Sequence, residues 1–126
     1  MPKDLVTTDY SLIDTLVESI IDEVAKYMTN VPKEFIAKEI QKAYIYARDA
    51  HEGQFRKSGD PYILHPVAAT RELLILRPDI VTMQSCLLHD VPEDTSKTVE
   101  DIRVVFGDEV AYITSGMEKL SHLKYR

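Results

Sequence analysis

Leu12, Ile13, Leu16, Val17, Ile20, Ile21 and Val24 recur at steps of three and four. That spacing lays apolar side chains along one face of a helix and does not suit a strand, whose faces alternate at every residue. The rhythm returns in Phe35, Ile36, Ile40, Ala43, Tyr44 and Ala47. β-Branched residues elsewhere also fall at helical spacings, so the expected fold is all-α. Asp9 or Ser11 is placed to cap the first helix, and Asn30 with Pro32 to end it. Pro32 suits the opening of a second helix that runs to about His51. A basic loop follows over residues 52–61, punctuated by Gly53, Gly59 and Pro61. A third helix is expected from His65–Pro66 through Leu74, and a fourth, strongly apolar, from Asp79 to Asp90. Thr98 with Asp101 forms a capping pattern for a short helix ending at Gly107, and a last helix spans Asp108 to about Lys119.

Composition bounds the function classes. The chain has 126 residues, enough for one domain with a real core. Its net charge of −6 argues against a surface built for nucleic acid or an anionic membrane. The single cysteine, Cys86, excludes an internal disulfide and a zinc–thiolate cluster, and its apolar setting marks a core thiol. No apolar run approaches the roughly 20 residues of a membrane span. Met-Pro-Lys-Asp at the start lacks a signal-peptide pattern, so a cytoplasmic location is expected.

Two segments break the apolar pattern with chemistry: His65–Pro66, and the run Leu87-Leu88-His89-Asp90-Val91-Pro92-Glu93-Asp94-Thr95. Charge of that density inside apolar sequence is costly unless it is paired or binds a cation. On a continuous helix, His89 and Glu93 share a face, as do Asp90 and Asp94. His65, at the start of another helix, could close on them. Imidazole with carboxylate and without thiolate suits Mn²⁺, Fe²⁺ or Zn²⁺ and leaves positions for water, which is a hydrolytic arrangement. The bland alternative is a surface His–Asp pair, weakened by the apolar Cys86-Leu87-Leu88 just before it. Pro92 qualifies the facing argument. Inside a helix it would cost roughly 3 kcal/mol. If the helix instead ends at Asp90 or Val91, Glu93 and Asp94 fall on a turn or a new helical turn. The loop Arg56-Lys57-Ser58-Gly59 offers two cations and a hydroxyl to a phosphate, and Arg56 could stack on a base. Tyr44 and Tyr46 read as packing residues. His51 reads as structural, favoured by the helix dipole at a C-terminal turn, and His122 carries no functional reading.

Taken in order, Ala50-His51-Glu-Gly-Gln54, Arg56 through Pro66, Leu87 through Asp90, Glu93-Asp94-Thr95, Thr98 through Ile102, Phe106 through Ala111 and Gly116…Lys119-Leu120 resemble the hydrolase domain of the RelA/SpoT homologues. The likeness runs over roughly residues 26 to 126. It implies an HD-type helical bundle and a Mn²⁺-dependent phosphohydrolase of the stringent response that removes the 3′-pyrophosphate of (p)ppGpp. By motif it makes His65, His89 and Asp90 metal ligands, and Glu93 and Asp94 the acidic pair that activates water and moves protons. Arg56 corresponds to the residue that stacks on guanine, with Lys57 and Ser58 in the same nucleotide loop. Synthetase-only relatives lack the His-Asp pair, which this chain keeps. Met117-Glu118 departs from the family's usual Val-Thr.

The family's last metal ligand, an aspartate on a later helix, has no counterpart here. The expectation is therefore that residues 1–126 form the N-terminal part of one hydrolase domain. Residues 1–30 would supply a leading helix and 31–126 the metal and nucleotide region, with the bundle incomplete at its C-terminal end. Such a chain should bind metal weakly and turn over slowly or not at all. Three other functions compete: a nucleotide-binding or regulatory fragment without catalysis, an HD phosphohydrolase for another nucleotide, and a fragment whose uncovered apolar surface drives a homodimer.

Overall fold

The computed structural model describes residues 8–124. Among them the chain is helical, with an isolated bridge between Phe55 and Pro61 as the one β-type pairing. Helix α1 (Ser11–Tyr27) buries Ile13, Val17, Ile20, Ile21 and Val24. Leu12 belongs to the periodic set yet lies exposed, so the buried stripe is narrower than the sequence pattern. Tyr10 occupies the cap position of α1 but makes no side-chain capping bond. Asp9 instead accepts from the Ser11 N–H at 2.9 Å and its hydroxyl at 2.5 Å. The helix stops at Tyr27, short of Asn30.

Helix α2 (Lys33–Ala50) opens directly after Pro32 and ends at His51, burying Ile36, Ile40, Ala43, Tyr44 and Ala47. Tyr44 donates its hydroxyl to Asp14 Oδ1 at 2.5 Å, tying α2 to α1. Burial chiefly, and then that bond, push its phenol well above the usual range. Tyr46 packs edge-on against Phe106 with centroids 5.4 Å apart. Both tyrosines are packing residues.

Helix α3 (Leu64–Leu73) passes into a 3-10 turn at Leu74–Leu76, one residue earlier than the expected helix end. Helix α4 (Ile80–Leu88) is capped by Asp79, whose Oδ1 accepts from the Thr82 N–H at 2.8 Å. It packs against α2, α3 and the last helix, and every residue from Met83 to Leu88 is buried. A helix covered on several sides is buried all round, and the polar members of this run, Gln84 and Ser85, are satisfied by the Glu39 and Val81 carbonyls. Cys86 sits in that run, where burial pushes its thiol up.

The expected continuous helix to Asp90 is corrected by the structure. α4 ends at Leu88, and His89 and Asp90 form a turn. A single helical turn, α5 (Val91–Asp94), follows with Pro92 in its first turn. There the missing N–H is one the helix could not have bonded anyway. Proline thus sets a new helix start rather than straining an old one.

Helix α6 (Val99–Phe106) carries the expected capping box. Asp101 N donates to Thr98 Oγ1 at 3.1 Å, and Thr98 N donates to Asp101 Oδ2 at 2.9 Å. Gly107, at φ +99°, allows the reversal into α7 (Asp108–Lys124), which runs beyond the expected Lys119. The α7 face leaves Tyr112 and Leu120 exposed.

Thr98→Ala should lower unfolding stability by about 1 kcal/mol, read from urea midpoints. The Thr98 N–H bond holds the Asp101 carboxyl below its usual 3.8. On acidification the unfolded chain therefore protonates this group first. The contribution of the cap is complete above the unfolded value and fades as pH falls through the folded one. The stability gap between the parent and Asp101→Asn should accordingly be present at neutral pH and shrink below about pH 4.

Candidate metal centre

The turn that ends α4 gives this region its geometry. His89 and Asp90 stand in the turn that joins α4 to α5. His65, in the first turn of α3, meets them there. His65 Nε2 lies 3.5 Å from Asp90 Oδ2, and His89 Nε2 lies 3.3 Å from Asp90 Oδ1. Ligand atoms of all three residues lie within 4.8 Å of one another.

Those separations test the fit of a cation. They exceed the usual 2.7–3.2 Å of an N–H···O bond. Two ligand atoms each about 2.1 Å from a common ion lie roughly 3.0–3.4 Å apart. The donor chemistry agrees. His89 Nδ1 sits 2.6 Å from the Cys86 carbonyl. A proton on Nδ1 leaves Nε2 with a free lone pair, the tautomer a metal needs. Burial pushes the His65 pKa down against the opposing pull of Asp90, and the charge of Arg56 and the neighbouring His89 and His51 add to the lowering. A neutral imidazole is favoured there. Asp90 is only 9 % exposed, so its charge sits where partners matter most. His65, His89 and Asp90 could therefore hold a divalent cation.

Glu93 and Asp94 are exposed on α5 and stand outside this group of three. The continuous helix assumed for His89 with Glu93 is divided: α4 ends at Leu88 and α5 begins at Val91. Asp90 and Asp94 keep a one-turn relation through the Asp94 N–H bond to Asp90 O at 3.0 Å.

A residue that sequence reasoning passed over joins them. Tyr62 Oη lies 2.9 Å from Asp90 Oδ2 and 3.2 Å from Asp94 Oδ2. Burial first, then its bonds and the charges of both carboxylates, hold that phenol far above its usual range, so it acts as a donor. Its position three residues before His65, on the approach to α3, was the available signal.

His51 is also more involved than its reading as a helix-end residue implied. It is 2 % exposed, with its ring 4.8 Å from that of Tyr62. Its Nδ1 lies 3.0 Å from Gln54 Oε1, and its buried Nε2 has no hydrogen-bond partner among the described residues. Gln54 in turn donates through Nε2 to the Asp94 carbonyl at 2.7 Å.

The basic loop is a tight, exposed excursion. Arg56 N donates to Asp60 O and Gly59 N to Arg56 O, each at 2.8 Å. Gly59 takes φ +93°, a conformation that glycine adopts at little cost. Arg56 lies over the Tyr62 ring at 5.8 Å, so the loop is anchored beside the histidines. Lys57 and Ser58 are exposed, and the Ser58 hydroxyl donates to Asp60 Oδ2 at 2.9 Å.

A helical domain in which a histidine from one helix meets a His-Asp pair in the turn after another defines a class, and comparison places this chain in it. Residues 43–126 match the HD domain model, and the chain belongs to that family. Its relatives are of the RelA/SpoT kind. It is 46% identical over 111 residues to a guanosine-3′,5′-bis(diphosphate) 3′-pyrophosphohydrolase of Vibrio cholerae, covering 88% of this chain and 15% of that protein. It is 48% identical over 98 residues to the bifunctional (p)ppGpp synthase/hydrolase SpoT of Escherichia coli, covering 78% and 14%. A GTP pyrophosphokinase of Streptomyces coelicolor is 47% identical over 88 residues, covering 70% and 10%. The chain thus spans about a seventh or less of the length of these relatives.

Proposed function

We propose that this chain is the N-terminal part of a (p)ppGpp 3′-pyrophosphohydrolase domain, with Mn²⁺ held by His65, His89 and Asp90. The observation that carries the reading is the pair of imidazole nitrogens at 3.5 and 3.3 Å from the two oxygens of one buried carboxylate. A divalent cation there supplies Lewis acidity toward phosphate oxygen and water.

The chain's own residues do the rest. Arg56 lays its guanidinium against the guanine ring, and Lys57 meets phosphate charge. Ser58 exchanges its Asp60 partner for a phosphate oxygen. Glu93 and Asp94, exposed beside the centre, take the proton from the water that attacks the 3′-phosphorus and pass one to the ribose 3′-oxygen as its bond to that phosphorus breaks. The products are pyrophosphate and GDP or GTP. The partner is a guanine nucleotide and the compartment the cytoplasm.

The test is calorimetry and product analysis on one sample of Mn²⁺-loaded chain with ppGpp. The account expects metal-dependent binding, pyrophosphate as the product even at a slow rate, and roughly tenfold weaker binding by Arg56→Ala. Turnover of another nucleotide in preference to ppGpp would contradict the substrate assignment. A second reading, a nucleotide-binding fragment without catalysis, is favoured by the three-donor set among the described residues. Binding that survives a chelator, with no product, would select it.

A further inference from the structure

Tyr62 has contacts that packing alone does not require. Its ring has three neighbours: the His51 ring at 4.8 Å, the His65 ring at 5.8 Å and the Arg56 guanidinium at 5.8 Å. Its backbone is fixed as well. Tyr62 N donates to Gln54 O at 2.8 Å, and His65 N donates to Tyr62 O at 2.9 Å. Gln54 Nε2 also bonds the Asp94 carbonyl at 2.7 Å, so one short loop holds both Tyr62 and the α5 turn. The hydroxyl is therefore delivered to a defined place.

That place lies between two carboxylates, 2.9 Å from Asp90 Oδ2 and 3.2 Å from Asp94 Oδ2. A phenol has one proton to donate. It is shared by two like charges one helical turn apart that would otherwise repel.

We propose that Tyr62 is a positioning residue of the metal centre, its single hydroxyl aligning the Asp90 carboxylate toward His65 and His89 while holding Asp94 beside it. The inference rests on the proposed function, since Asp90 matters in this way only as a metal ligand. It adds a link between the metal site and the acidic pair. Groups that orient a metal ligand from behind typically change affinity ten- to hundredfold when removed. The hydroxyl is also common to both carboxylates, so Tyr62 and Asp94 should act on metal binding together rather than independently.

The experiment is titration of the full chain with Mn²⁺ alone, for the parent, Tyr62→Phe, Asp94→Asn and the double variant, with circular dichroism of each. Tyr62→Phe keeps the ring and its stacking. The expected result is a native spectrum with Mn²⁺ affinity down about ten- to hundredfold, and a double variant that differs from the sum of the two single effects. Parent-like affinity in Tyr62→Phe, or strict additivity with Asp94→Asn, would overturn the role of Tyr62 while leaving the metal centre standing. No Mn²⁺ uptake by the parent would remove the centre itself, and this inference with it.

Discussion

Asp90→Asn is expected to abolish measurable Mn²⁺ uptake, lowering affinity by more than about 100-fold, beyond the usual effect of residues behind the ligands. Asp90 pairs with both imidazole Nε2 atoms, and its carboxylate supplies the negative charge of the three-residue group found among the described residues. Asparagine keeps the size and one acceptor for Tyr62 Oη, so the metal-free fold should survive with a stability change within about 1 kcal/mol. Binding to the folded state alone raises stability by about 2.7 kcal/mol at a hundredfold excess over the dissociation constant. Mn²⁺ should therefore raise the melting temperature of the parent and leave that of Asp90→Asn unchanged. Equal stabilisation of both proteins would show that the metal binds elsewhere.

Leu87→Ala is expected to have the opposite profile: a large loss of stability with no direct effect on ligand chemistry. Leu87 is fully buried on α4, the helix that packs against α2, α3 and α7. Truncating a core leucine costs about 2–5 kcal/mol, because its surroundings close only in part. A domain of this size has roughly 5–15 kcal/mol in total. The loss should be read from urea unfolding at saturating and at zero Mn²⁺, with the same difference in each. A cost below about 1 kcal/mol would mean that α4 is not at the centre of the fold.

The helices were legible because their signals are local. The three- and four-residue steps of α1 and α2, the Thr98–Asp101 box and the proline starts need no knowledge of tertiary structure. Their ends were less so. α4 stops at Leu88 rather than Asp90, and Pro92, which has no N–H to give the Leu88 carbonyl, is the local reason. The site's residue types could be read from the two histidine motifs and the resemblance they carry. The convergence of His65 with His89 and Asp90 in the turn after α4 is a tertiary fact and becomes visible only in the fold. Tyr62 was hidden for a related reason. An isolated tyrosine in a loop is ordinary, and its importance lies in two carboxylates nearly thirty residues away or more along the chain. His51 was assigned to the dipole of its own helix, yet it is the Tyr62 ring beside it that brings it into the site.

The most direct measurement is anomalous diffraction at the manganese edge from crystals of the Mn²⁺-loaded chain. The account predicts one strong peak within about 2.0–2.3 Å of His65 Nε2, His89 Nε2 and an Asp90 oxygen together. A map with no peak among those three atoms, or with its manganese on other residues, would contradict it.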